Sequence, residues 1–75
     1  MQEIITEGMN IGKIMGYEEE GYYPELKNSV LVQIGNRIFS IITNFSDYEL
    51  IKNSTPVGST VIVESHNGSL CIESL

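Results

Sequence analysis

The sequence predicts an all-β fold, a small five-stranded barrel with one short helical turn. Isoleucine occurs eleven times and alanine not at all, so the chain is rich in a β-branched residue and lacks the strongest helix former. The dipeptides Gly35-Asn36 and Asn67-Gly68 each divide two apolar-rich runs, the pattern of a two-residue hairpin. At 75 residues there is room for one domain with one compact core, and residues 1–75 are read as a single unit without repeat or linker.

The elements follow in order. A first strand is expected around residues 11–17. Gly8, Gly12 and Gly16 recur every four residues, but Asn10 and Lys13 interrupt any apolar helix face, so the glycines are assigned to bulges or barrel corners. Residues 18–28 are expected to form a long, mobile loop. In residues 29–44 a turn at Gly35-Asn36 pairs Ile34 with Arg37, Val32 with Phe39 and Val30 with Ile41. That places Val30, Val32, Phe39 and Ile41 on a core face. Leu31, Gln33, Ile38, Ser40 and Ile42 fall on the other, which is too apolar to stand open to water.

Residues 46–53 have the marks of a short helix, with Ser46 as N-cap, Glu49 three residues on and Lys52 at the C-terminal end. Such a helix would bury Leu50 and Ile51 against the outer face of the first hairpin. Pro56 and Gly58 mark a tight turn. In residues 60–73 a type I′ turn at Asn67-Gly68 pairs Val63 with Ile72 and Glu64 with Cys71. Val61, Val63, Leu70 and Ile72 then face inward, Glu64 and Glu73 outward. Five strands with a helical turn before the fourth are the plan of a closed or half-closed barrel of the OB or SH3-like kind.

The rhythm Gly12-Lys13-Ile14, Val32-Gln33-Ile34-Gly35-Asn36-Arg37 and Gly58 to Ile72 resembles the soluble C-terminal OB-type barrel of NfeD-like proteins. A similar pattern occurs in the hydrogenase-maturation chaperones and in the smallest bacterial initiation factors. The chain departs from each of them. The chaperones begin Met-Cys where this chain has Met1-Gln2, the initiation factors are basic, and NfeD-like barrels follow membrane helices. The resemblance implies a fold and carries over no functional residue.

Ten carboxylates against four basic residues leave a net charge of −6. Lys13, Lys27, Arg37 and Lys52 are scattered, so the chain lacks the cationic surface that phosphate backbones require, and no direct nucleic-acid binding is expected. Residues 1–5 have neither a basic start nor a long apolar run, and no stretch approaches the roughly 20 apolar residues of a membrane span. A cytoplasmic location away from the membrane follows as the expectation. A single cysteine, Cys71, forms no internal disulfide.

Chemistry-bearing residues are few. His66 is the sole histidine and sits beside a turn, where a solvated role is ordinary. Cys71 has Leu70 and Ile72 as neighbours and Glu64 opposite, and no cation to activate a thiolate. No nucleophile, base and acid assemble into a set, so no enzymatic activity, cofactor or metal site is expected. The most distinctive stretch is Glu18-Glu19-Glu20 with Tyr17, Tyr22 and Tyr23 around it. Tyrosines supply contact area and glutamates meet Lys or Arg of a partner.

The expected function is thus a non-enzymatic protein-interaction module. It would bind a protein partner or itself, as a homo-oligomer, through Tyr17, Glu18, Glu19, Glu20, Tyr22 and Tyr23 together with Leu31, Ile38 and Ile42. One alternative is an inhibitor of the phage or mobile-element type, whose acidic surface occupies a host protein's nucleic-acid groove. Another is a barrel face for a small ligand or an oligonucleotide.

Overall fold

The computed structural model describes residues 5–21 and 27–74. Its elements are β1 (Gly8–Glu20), β2 (Lys27–Ile34), β3 (Arg37–Thr43), α1 (Phe45–Ser54), β4 (Thr60–His66) and β5 (Ser69–Ser74). The strands form one antiparallel sheet in the order β3-β2-β1-β4-β5. The all-β expectation holds as five antiparallel strands and one helix. Among the described residues the sheet is open, with β3 and β5 as its edges.

Both hairpins have the expected register. Gly35 has φ of 65° while Asn36 stays at negative φ, which suits a turn with glycine first. It pairs Ile34 with Arg37, Val32 with Phe39 and Val30 with Ile41. Asn67 and Gly68 have φ of 50° and 85°, the two positive values of a type I′ turn. They align Glu64 with Cys71 and Val63 with Ile72.

The long strand β1 serves both halves of the sheet. Its first part pairs with β4 from Gly8 to Lys13, its second with β2 from Lys13 to Glu20. The register shifts between Ile14 and Gly16, and this bulge lets the strand bend as it changes partner. The loop expected over residues 18–28 is corrected: Glu18, Glu19 and Glu20 continue β1 opposite Ser29, Asn28 and Lys27. Alternation in the ladder directs the backbone groups of Glu18 and Glu20 to β2, where a loop would have left them to water.

The core lies on one face, where Ile14, Val30, Val32, Val61 and Val63 are fully buried and Ile41 nearly so. Gly12 shares that face. A Cβ there would fall 2.5 Å from Val32 Cγ1 and 3.3 Å from the Gln33 carbonyl oxygen, so glycine is what permits the close approach.

The helix begins two residues earlier than expected. Asn44, not Ser46, is the N-cap: its Oδ1 accepts from the Asp47 backbone N–H at 2.8 Å, and its Nδ2 donates to Asp47 Oδ2 at 3.0 Å. The side expected to be buried is also corrected. Leu50 is 70% exposed and Ile51 half-buried, while Tyr48 is buried. Tyr48 meets Tyr17 edge-on with ring centroids 5.9 Å apart, and Lys52 Nζ lies 5.5 Å from its ring centroid. Tyr17 extends inward from β1, so α1 closes the end of the core face and does not cover the outer face of the first hairpin.

Candidate functional site

The outer face of β2 and β3 is built by strand alternation. Leu31, Ile38 and Ile42 lie on the side opposite Val30, Val32 and Ile41, as the hairpin register requires. Ile38 is 56% and Ile42 67% exposed. Leu31 is half-buried because it leans over Gly16, where a Cβ would sit 3.6 Å from Leu31 Cδ1. Ser29 and Ser40 fill the positions between, and Gln33 folds back to donate to the Gly35 carbonyl at 3.2 Å.

A second apolar patch continues this face across the sheet. Met9 is 71% and Ile11 70% exposed, and Ile11 pairs with the half-buried Ile62. Lys13, opposite Gln33 on one side and Thr60 on the other, separates the two patches. Reasoning from sequence missed Met9 and Ile11. Their signal was the alternation Met9, Ile11, Lys13, which is set by distant pairing with β4 and not by a local turn.

The acidic stretch and its tyrosines do not stay together. Glu18, Glu19 and Glu20 are exposed at the end of β1. Tyr17 turns to the core face and donates its hydroxyl to the carbonyls of Thr55 and, at 3.3 Å, Ile51. That hydroxyl ties β1 to the C-terminal end of α1. Burial, helped by the neighbouring Tyr48, raises the Tyr17 pKa above its ordinary value. Tyr22 and Tyr23 lie outside the described residues.

The acidic end of β1 lies at the same end of the sheet as the helix. Glu19 pairs with Asn28, Asn28 pairs with Thr43, and Thr43 leads through Asn44 into α1, which carries Asp47 and Glu49. Asn28 Oδ1 and Thr43 Oγ1 are buried along this row without a hydrogen-bond partner.

Reactive groups lie apart from one another. Cys71 is exposed opposite Glu64, and His66 is exposed at the end of β4. Among the described residues no three His, Cys, Asp or Glu side chains gather to hold a metal ion, and no helix is long and apolar enough to cross a membrane. What the outer face offers is surface: bulky aliphatic groups held on a rigid sheet beside the carboxylates of Glu18 and Glu20. No family model matches the chain, and none of the curated proteins or solved structures compared with it does either.

Proposed function

We propose that the chain is a non-enzymatic protein-interaction module on an OB-type plan, which docks a second copy of itself or a protein partner through the outer face of β2 and β3. The OB reading is supported by three features. The strand order places a long, bent β1 between two hairpins, the helix falls between β3 and β4, and it closes one end of the core. In that plan the face of the second and third strands is the usual contact surface.

One observation carries the functional reading: Ile38 and Ile42 stand on a sheet face that no element of the described chain covers. Aliphatic groups on a rigid strand pair lose water on association without further ordering. Glu18, Glu19 and Glu20 at the end of the adjoining strand add attraction for Lys or Arg on the partner. Base recognition is disfavoured, since Phe39, the one aromatic of this hairpin, is on the core side and stacking needs an aromatic on the open face.

The test is solution mass by light scattering at low and high salt. The expected result is an assembly that persists at high salt, because apolar contact is not screened. Ile38→Glu, placed on an exposed position, should give a folded monomer. An unchanged assembly in Ile38→Glu would remove this face as the contact.

A second reading is favoured by the gathering of Glu18, Glu19, Glu20, Asp47 and Glu49 at one end of the molecule. Such an end suits an inhibitor that occupies a basic nucleic-acid groove on a host protein. Its complex would weaken steeply with added salt, whereas the first reading predicts salt tolerance.

A further inference from the structure

β3 and β5 end the sheet, and the unbroken antiparallel pairing from β3 to β5 makes these two edges run in the same direction. An odd number of strands closes into a ring only through one parallel pair. An even number lets every neighbour run oppositely. Between the edges lie two cavities. One, of about 220 Å³, is lined by Ile5, Phe39, Ile41 and Leu70 among others. The second, of about 150 Å³, is lined by Thr43, Leu50, Ile51, Leu70 and Ile72 among others. Leu70 borders both, so they are stations along one slot. At the helix end of that slot the Thr43 hydroxyl has no partner.

The register shows which backbone groups face the slot. A two-residue turn makes Ile34 and Arg37 a hydrogen-bonded pair, and alternation from there directs the N–H and C=O of Ile38, Ser40 and Ile42 to the free edge of β3. The same count from Asn67-Gly68 directs those of Leu70, Ile72 and Ser74 to the free edge of β5. The phase agrees with β1, where the Ile14 N–H donates to the Ser59 carbonyl at 2.9 Å and not toward its neighbour Val32.

We propose that this slot receives an extended peptide of a partner protein as a sixth strand, antiparallel to both edges. The residues of β3 that offer backbone groups carry their side chains outside, and those of β5 carry theirs inside. A single strand alternates in the same sense. Its outward-facing residues bond β3, and its inward-facing residues bond β5 while their side chains enter the two cavities. The walls ask for aliphatic or aromatic residues at alternate positions and no proline. Asp47 beside the smaller cavity and the net charge of −6 favour lysine or arginine at the ends. β3 has seven residues and β5 six, so the peptide would span roughly 20 Å. The slot uses the backbone edge of β3, whereas the outer-face reading uses the side chains of the same strand, and the proposal does not rest on that reading.

The experiment is an amide NMR titration of the full chain with a panel of blocked, lysine-ended peptides that alternate valine, isoleucine or phenylalanine with threonine. The expected result is saturable binding with slowed exchange at the amides of Ile38, Ser40, Ile42, Leu70 and Ile72. The best peptide, N-methylated at alternate residues to remove one row of donors, should bind at least about tenfold more weakly. Leu70→Glu, in the wall shared by both cavities and away from the outer face, should weaken the unmodified peptide at least about tenfold while the salt-resistant assembly through the outer face persists, which separates this slot from the outer-face reading. The proposal is overturned if no peptide protects these amides, or if the N-methylated peptide binds equally well. It is also overturned if the amides are already protected without peptide, either in the monomer, where the edges would pair with each other, or in step with protein concentration, where a second copy would fill the slot.

Discussion

At Gly12 the missing side chain is itself a structural element. Any Cβ there would drive into Val32 Cγ1, and Val32 is fully buried in the core. Gly12→Ala is therefore expected to cost roughly 1–3 kcal/mol as overpacking, read as a lower urea midpoint at unchanged slope; an equal midpoint would mean that Val32 re-rotates freely. Tyr17 acts through its hydroxyl, which links β1 to Thr55 and Ile51. Because the folded state raises the Tyr17 pKa, it keeps the proton where the unfolded chain has lost it. Stability is then complete below the unfolded value near pH 10 and falls as pH rises through the folded value. Tyr17→Phe should cost about 1 kcal/mol at neutral pH for the lost hydrogen bonds and flatten this alkaline decline, with denaturation followed from pH 8 to 11 as the check. Neither role was legible in the sequence. Tyr17 stood next to three glutamates and suggested a surface contact, because nothing local reveals which way a strand faces.

The elements were legible where local chemistry decides them. Gly35-Asn36 and Asn67-Gly68 specified both turns, and a two-residue turn leaves one register, so every cross-strand pair of the hairpins followed. The helix was visible, but its start was placed two residues late. Ser46 and Glu49 have capping-box spacing, yet Asn44 and Asp47 have it too, and the structure uses them. Asn44→Ala should cost about 1 kcal/mol by loss of the cap, measured by chemical denaturation, whereas Ser46→Ala should leave stability within experimental error. The opposite ordering would contradict the cap assignment. The N-terminal strand was harder. It has no turn to set its phase, and its outer set of Met9 and Ile11 is more apolar than its inner set of Asn10 and Gly12. The inner set is small because Val32 fills the space across from Gly12.

At the scale of the whole molecule, the position of α1 determines what remains open. The helix was expected over the outer face of the first hairpin, where it would have hidden Ile38 and Ile42. It packs instead through Tyr48 on Tyr17 at the end of the core face, and the outer aliphatic groups keep their exposure. Assembly through those groups should resist salt, and contacts made by the acidic end should not. By itself, the sequence determined the β class, the two hairpins with their registers and the existence of a short helix. Each of these depends on residues within a turn or two of one another. Only the tertiary structure decided which face β1 turns inward, where the helix docks and that, among the described residues, the edges β3 and β5 are unpaired. Those features depend on packing between residues far apart in the chain, where volume and backbone pairing, not local propensity, set the outcome.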